Sequence, residues 1–401
     1  IHCYARRIRS GLDPVINIFD GNGKHIVGDD DARRPDCYLR FNIPETGEYV
    51  IRVRDHLSRG SAEFVYRIEF ERVRPSLSVS IPRVDRYSQL RQQICVPQGN
   101  RFATLISANR SNFGGEIELI AEGLPEGISM DSRPMVANLN QMPVVFSATA
   151  DAPIAGKLLE LKAGHIDPNL GISGRFNLLA DFSLGPPNNS LYYGCRVNRL
   201  AAAVTKALPF KINIQQPRVP LVRNGSMQLK IIATRDEGFD APIRVQFPFR
   251  PPGLGTKPQI EIAKDQTEAY YPINANDKAQ LGKWPVYAIG QANVEGPAWA
   301  SSQLAELEIA EPFVTAELNR TTCELGQETS IFCQLNHHRP FPGEATAELL
   351  GVPPQIEIPS LTFTSETEQL IFKVKTSDKS PLGRHKGLFC RVTIQDQGEP
   401  I

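Results

Sequence analysis

The segment Phe113-Gly114-Gly115-Glu116-Ile117-Glu118-Leu119, followed further along the chain by Ala155-Gly156-Lys157, decides the fold because its pattern occurs three times. The second copy reads Phe239-Asp240-Ala241-Pro242-Ile243-Arg244-Val245 with Leu281-Gly282-Lys283, and the third reads Phe341-Pro342-Gly343-Glu344-Ala345-Thr346-Ala347 with Leu382-Gly383-Arg384. The glycine follows the aromatic residue by 43, 43 and 42 positions. Spacings held this closely indicate one structural unit that is used repeatedly.

Each copy alternates short apolar runs with turns rich in proline and glycine. In the first copy Ile117 and Leu119 share a face, and in the second Ile243 and Val245 do. About seven short strands separated by turns is typical of an immunoglobulin-like β-sandwich. We therefore predict an all-β chain of tandem β-sandwiches: Ig-like repeat 1 with a linker at 75–208, repeat 2 at 209–310 and repeat 3 at 311–401.

Two stretches depart from this pattern. Residues 187–208 fit no position of the repeat, and Leu200-Ala201-Ala202-Ala203-Val204 within them reads as a strand or a linker. Repeat 3 reaches only a turn after the long strand that contains Cys390, so we predict that it lacks its last strand.

The amino-acid composition limits which kinds of partner are expected. The 401 residues hold 44 Lys+Arg and 44 Asp+Glu, so no net field exists to attract nucleic acid or an anionic membrane. No apolar run approaches the roughly 18 residues of a membrane span. We predict neither a nucleic-acid partner nor a membrane span.

Residues 1–74 also read as strands joined by hairpins. Ser10-Gly11-Leu12-Asp13-Pro14, Phe19-Asp20-Gly21-Asn22-Gly23-Lys24, Asp29-Asp30-Asp31 and Thr46-Gly47-Glu48-Tyr49-Val50-Ile51-Arg52-Val53 resemble the bacterial pre-peptidase C-terminal domain, a small β-sandwich appended to secreted proteases. The family's opening strands, before the equivalent of His2-Cys3-Tyr4-Ala5, are missing, so this domain is predicted to be partial. Residues 75–401 are similar to the tandem Ig-like modules beside such domains in large secreted bacterial proteins.

Motifs for catalysis, cofactor binding or metal binding are scarce in the sequence. The chain has no G-x-S-x-G, H-E-x-x-H or phosphate-loop motif, so we predict no catalytic, cofactor-binding or metal-binding residue. Asp29-Asp30-Asp31 with Asp36 offers oxygen ligands for Ca²⁺, but their spacing matches no defined calcium loop. His337 and His338 are adjacent on an extended segment and so point to opposite sides, which disfavours joint chelation. Trp284 reads as a core residue and not as a platform for sugars.

Seven cysteines form no zinc spacing, and their odd number leaves at least one unpaired. Cys333 lies on the face of Ile331 and Leu335, and Cys390 on the face of Val392 and Ile394. Cys333 and Cys390 are therefore a candidate inter-sheet disulfide, worth about 4 kcal/mol on the chain-entropy estimate. The alternative is two buried free thiols. Cys3 and Cys37 are a second candidate pair.

These observations favour a non-catalytic, extracellular or cell-envelope protein whose modules act as spacer and binding scaffold for an unidentified protein or polysaccharide at the cell surface. Its localisation is inferred from the family resemblance alone. One alternative is the accessory region of a secreted peptidase whose catalytic domain lies outside this sequence. A weaker alternative is a collagen- or carbohydrate-binding module.

Overall fold

The structure is a computed structural model that describes residues 1–84, 91–188 and 190–401. The chain forms two compact units, Ile1–Pro75 and Ser76–Ile401. In the described residues the only helical segments are two 3-10 turns, Arg6–Ile8 and Pro168–Leu170. No helix there is long and apolar enough to cross a membrane. The fold is all-β, as the sequence predicts.

The first unit consists of two three-stranded sheets. Its strands are His2–Tyr4 (β1), Pro14–Asp20 (β2), His25–Asp29 (β3), Cys37–Tyr38 (β4), Tyr49–Asp55 (β5) and Arg67–Glu69 (β6). One sheet has the order β4-β1-β6 and the other β3-β2-β5. The buried cluster of this unit is small and consists of Cys3, Ile16, Ile18, Cys37 and Leu39.

Alternation at 38–43 and at 64–70 predicts two strands in the first unit, and both are shorter in the structure. Of the first run, Tyr38 lies in β4 and Leu39 exchanges backbone hydrogen bonds with Ile1, whereas Ile43 is exposed. Pro44 follows it and can donate no ladder hydrogen bond. The run at 64–70 pairs only at Arg67–Glu69 because the Phe64 and Val65 amides donate within a turn, to Ser61 and Glu63.

Asp55 ties the end of β5 to its surroundings. Its buried carboxylate accepts hydrogen bonds from the Asp13 amide (3.0 Å), the Leu57 amide (3.1 Å) and Arg59 Nε (2.9 Å). The Arg59 guanidinium holds the pKa of Asp55 well below its ordinary value. A carboxyl group with a lowered folded pKa stabilises the fold above its ordinary pKa of about 4, and this stability is lost as the pH falls below that value.

We therefore expect the first unit to lose stability on acidification below about pH 4, and the Asp55→Asn variant to show a weaker dependence over that range. The measurement is amide hydrogen exchange of β2 between about pH 5 and pH 2.5, corrected for the intrinsic exchange rate. Glu45→Gln, at an exposed carboxyl group, is the control. Equal pH dependence in wild type and Asp55→Asn would contradict the assignment.

The second unit carries the three repeats. The strands of repeat 1 are Ser76–Ser80 (β7), Ile94–Pro97 (β8), Arg101–Ser111 (β9), Ile117–Glu122 (β10), Ile128–Ser132 (β11), Gln141–Ala148 (β12), Gly156–His165 (β13), Ser173–Phe176 (β14), Leu178–Gly185 (β15), Ser190–Val197 (β16) and Leu200–Thr205 (β17). Strands β7 to β14 and β17 are connected as β11-β12-β9-β7-β14-β13-β17-β8, with β10 also paired to β13.

In the described residues the strands of repeat 2 form three sheets and those of repeat 3 form two. Repeat 2 contains Phe210–Ile214 (β18), Leu221–Val222 (β19), Ser226–Arg235 (β20), Ile243–Gln246 (β21), Leu254–Thr256 (β22), Ile260–Ile262 (β23), Glu268–Ala275 (β24), Gly282–Val286 (β25), Ile289–Asn293 (β26), Pro297–Ser301 (β27) and Ala305–Ala310 (β28). Repeat 3 contains Val314–Leu318 (β29), Glu328–His337 (β30), Ala345–Leu350 (β31), Ile356–Glu357 (β32), Leu361–Phe363 (β33), Gln369–Thr376 (β34), Phe389–Asp396 (β35) and Glu399–Pro400 (β36). Its sheets have the orders β29-β30-β34-β32 and β33-β31-β35-β36.

The aromatic residues of the repeated pattern occupy one structural position. Phe113, Phe239 and Phe341 each lie between two strands, four residues before β10, β21 and β31 respectively. Gly282 and Gly383 adopt φ of 125° and 124°, a region that side chains disfavour. Gly156 has no such φ, so the backbone conformation that favours glycine occurs at this position of the repeat in the second and third copies and not in the first.

Repeats 1 and 2 share one hydrophobic core. A single cluster of buried residues includes Phe102 and Phe146 of repeat 1 together with Phe210 and Ile231 of repeat 2. At this junction the buried Asn100 side chain donates from Nδ2 to the Phe210 carbonyl (2.9 Å). Modules that share a core move as one body, because separating them would expose apolar surface to water. Repeat 3 has a cluster of its own, built around Phe372.

Candidate functional site

The stretch that fits no repeat position, 187–208, includes the second strand of a β-hairpin that is inserted into the last strand of repeat 1. That last strand is in two parts: β14 pairs with β13 at Lys162–Gly164, and β17 pairs with β13 at Gly156–Leu159. Between them β15 and β16 form a two-stranded antiparallel ribbon, and within the described residues each pairs only with the other. In repeat 2 the corresponding strands, β27 and β28, are separated by three residues. The segment at 200–204 is therefore a strand and not a linker.

The outer part of this hairpin carries four exposed apolar side chains, called here the apolar stripe: Phe182, Leu184, Leu191 and Tyr193. Leu184 is paired with Leu191 across the ribbon, and the rings of Phe182 and Tyr193 are 6.0 Å apart. Phe182 and Tyr193 are 67% and 65% exposed, and the two leucines are 40% exposed. A stripe of four large apolar side chains at this exposure is the kind of surface that marks an interaction site.

The base of the hairpin is fixed to the sandwich. Leu178 and Val197, opposite each other at its base, pack against the core that repeats 1 and 2 share. The buried Asp181 carboxylate forms an ion pair with Arg83 (2.5 Å), and Arg196 donates to Asn177 Oδ1 (3.3 Å). The ribbon that carries the apolar stripe is thus held at its base by apolar packing and by polar contacts.

A cleft of about 580 Å³ lies between repeats 1 and 2. Its lining includes the buried Met135 and Met142 of repeat 1 and the buried Phe249 and Trp284 of repeat 2. The volume is in the range of small-molecule sites. Among the described residues that line the cleft there is no histidine, cysteine, serine or aspartate, and their one carboxylate, Glu306, is paired with Lys283 (2.7 Å). The described lining offers mainly apolar contact.

Trp284 is a core residue, as its sequence position predicts. Its side chain is 5% exposed, and its indole N–H donates to the Gln280 carbonyl (3.0 Å). An indole buried in this way has no free face for stacking against a sugar ring. The interpretation of Trp284 as a core residue is confirmed.

The predicted disulfide residues lie together in repeat 3. Cys333 of β30 and Cys390 of β35 come from different sheets and pack in the same hydrophobic cluster. Hydrogen bonding between the two thiols lowers the pKa of Cys333 and, together with burial, raises the pKa of Cys390. Cys333 is fully buried and Cys390 half-buried. The arrangement fits the inter-sheet bridge, although the structure holds all seven cysteines as thiols.

The acidic and histidine candidates have local structural partners. Asp36 accepts hydrogen bonds from the backbone amides of residues 5–7, and Asp29 accepts from the amides of Ala32 and Tyr38. His337 contacts the Thr367 carbonyl (2.7 Å), whereas His338 contacts the Thr315 hydroxyl (3.1 Å). In the described part of the chain no group of three or more His, Cys, Asp or Glu side chains has the arrangement of a metal site.

No family model matches this chain, and no curated protein matches it. Similar solved structures include native E. coli alpha-2-macroglobulin (9% identity, TM-score 0.21, covering 96% of this chain and 26% of that one). A marsupial T cell receptor (8%, TM-score 0.19, covering 83% and 98%) and the fibronectin(III)-like modules of Clostridium thermocellum CbhA (12%, TM-score 0.17, covering 58% and 94%) are two others. Similarities this low carry no argument about function.

Sequence reasoning missed the hairpin. Its first strand alternates as the last strand of a repeat would, so 176–184 reads as the end of repeat 1. The signal that distinguishes it is the Gly185-Pro186-Pro187-Asn188 turn followed by Leu191-Tyr192-Tyr193, a second apolar run where repeat 2 has none.

Proposed function

We propose that this chain is a non-catalytic binding scaffold, located outside the cell or on its envelope, and that the inserted hairpin is its contact surface for a partner protein. The observation that carries this function is the exposed apolar stripe. The ribbon is not needed to complete the sheet of repeat 1, because β14 and β17 pair with β13 without it.

The chemistry of the hairpin favours a protein over other partners. The stripe itself carries no charge, so it offers nothing to a phosphate backbone or an anionic headgroup. Phenylalanine and tyrosine are enriched at protein interfaces, where they supply large contact areas. A polypeptide can offer both apolar side chains to the stripe and an extended segment to the ribbon that β15 and β16 form.

The shared core of repeats 1 and 2 supplies the spacer part of this function. A contact surface that projects from repeat 1 keeps a fixed orientation relative to repeat 2, because the two repeats bury one continuous cluster. A rigid scaffold of this kind reduces the entropy lost on binding. The resemblance of the first unit to pre-peptidase C-terminal domains supports a secreted location.

The test is affinity capture followed by a matched comparison of variants. The immobilised chain is incubated with envelope and secreted proteins of the source organism, and each captured protein is purified and titrated against three forms of the chain. These are wild type, Phe182→Ser/Tyr193→Ser, and the control Phe332→Ser/Ile371→Ser. The control changes another exposed apolar pair, in repeat 3, where the two residues are directly opposite.

We expect a genuine partner to bind Phe182→Ser/Tyr193→Ser more than about 30-fold more weakly than wild type, with the control unchanged, because aromatic side chains dominate interface energies. The two variants should melt within about 3 °C of wild type, since the replaced side chains are exposed. If every partner captured binds all three forms equally, the hairpin is not the contact surface.

A further inference from the structure

The central cluster of the first unit contains two cysteines that are directly opposite each other. Cys3 of β1 and Cys37 of β4 are Cα partners in an antiparallel pair, so their side chains point to the same face of the sheet. They are 0% and 2% exposed and belong to one buried cluster. Directly opposite residues have Cα atoms about 4.5–5.5 Å apart, inside the range of about 4.4–6.8 Å that disulfides occupy.

The buried cluster of the first unit is small, so this cysteine pair makes up a large part of it. Two of the five residues in the buried cluster are these cysteines, and the other three are Ile16, Ile18 and Leu39. A unit as short as Ile1–Pro75 buries a smaller fraction of its surface than a larger domain does, and small units often depend on a covalent bridge. Strand β4 is only two residues long, so it has few hydrogen bonds of its own to hold it against β1.

We propose that Cys3 and Cys37 form a disulfide that joins β1 to β4. The bond forms by thiol–disulfide exchange with a small-molecule disulfide such as glutathione disulfide. One cysteine thiolate attacks the oxidant and releases one glutathione, and the second thiolate then attacks the mixed disulfide and releases the other. The two protein thiols lose two protons and two electrons, and one glutathione disulfide is reduced to two glutathione thiols.

Formation of the bond changes one neighbouring contact. In the thiol form Cys37 Sγ–H donates to the Pro14 carbonyl (3.0 Å), and this hydrogen bond is replaced by the S–S bond. Thiol donors form weak hydrogen bonds, so the exchange favours the bridge wherever the oxidant is available. Disulfides persist in oxidising compartments, so the pair belongs with a protein that matures there. This inference rests on the geometry of the first unit and does not depend on the hairpin.

The first test is peptide mapping of the full chain. The protein is equilibrated with glutathione disulfide, its free thiols are alkylated under denaturing conditions, and it is digested with trypsin. Cleavage after Arg6, Arg33 and Arg40 places the two cysteines in separate peptides, 1–6 and 34–40, because the Arg34–Pro35 bond resists trypsin. We expect these peptides to be linked and to separate on reduction. Recovery of both only as alkylated peptides would overturn the proposal.

The second test measures what the bridge does. We expect reduction of the wild-type chain to speed amide hydrogen exchange in β2 by more than about 100-fold, because the unfolded first unit regains the freedom that the bridge removes. Cys3→Ala/Cys37→Ala should exchange as the reduced wild type does, and Cys95→Ala/Cys195→Ala should exchange as the oxidised one does. Equal exchange in oxidised and reduced wild type would show that no stabilising bridge exists. That comparison needs no variant, so it decides the question even if Cys3→Ala/Cys37→Ala does not fold.

Discussion

Phe210→Ala is expected to destabilise repeats 1 and 2 together, by about 3–5 kcal/mol. Phe210 is 1% exposed, and its ring is stacked on that of Phe239 with centroids 5.5 Å apart. Its backbone carbonyl accepts the hydrogen bond from Asn100 of repeat 1. Removing the ring leaves a cavity at the junction of the two repeats, and both bury apolar surface in the same cluster.

Two probes follow this effect. Trp284 and Trp299, the only tryptophans in the chain, both lie in repeat 2, so their fluorescence in denaturant reports on that repeat. Hydrogen exchange of β9 and β12 reports on repeat 1. We expect Phe210→Ala to lower the denaturant midpoint of the tryptophan fluorescence transition and to reduce the exchange protection of β9 and β12. Phe372→Ala, in the separate cluster of repeat 3, is the control and should leave both unchanged. Full protection of β9 and β12 in Phe210→Ala would show that the repeats unfold independently.

The second large effect concerns repeat 3. If Cys333 and Cys390 are joined, reduction or Cys333→Ala should cost about 4 kcal/mol of the stability of this repeat, because the bridge closes a long loop of the unfolded chain. The two cysteines come from different sheets and pack in the same hydrophobic cluster. Hydrogen exchange of β34 in oxidised and reduced protein measures the loss.

The control for this prediction is Cys323→Ala, at an exposed cysteine of the same repeat. It should leave the exchange of β34 unchanged in both redox states. Peptide mapping after cleavage at Glu324, which separates Cys323 from Cys333, identifies the bridge directly. If β34 exchanges at the same rate before and after reduction, Cys333 and Cys390 are buried thiols and the alternative interpretation holds.

The sequence was most informative where one face of a strand is buried. Ile117 with Leu119, and Ile243 with Val245, are buried as their alternation predicts. The spacing of Phe113, Phe239 and Phe341 predicted a common position, because a turn of fixed length ties each of them to the strand that follows. It was least informative in the first unit, where alternation at 38–43 and 64–70 gave strands that hydrogen bonding does not extend.

The hairpin, and the position of Cys3 opposite Cys37, could be recognised only in the structure, for a physical reason. Alternation indicates a strand but does not show which strand it pairs with. The sequence of β15 is therefore equally consistent with the edge of a sandwich and with half of a ribbon. Likewise, Cys3 and Cys37 are far apart in sequence, and only the register of β1 with β4 shows that they are opposite each other. Contacts between distant strands are set by topology, which local pattern does not encode.

The last strand of repeat 1 is interrupted, so one stretch of the chain contains both sheet-forming residues and an inserted hairpin. Residues 173–176 and 200–205 complete the sheet, and the residues inserted between them contribute little to its ladder. Substitutions in the inserted part can therefore change its surface while the flanking parts keep the sheet intact. Under the proposed function, the residues that determine binding and the residues that determine the fold are separate.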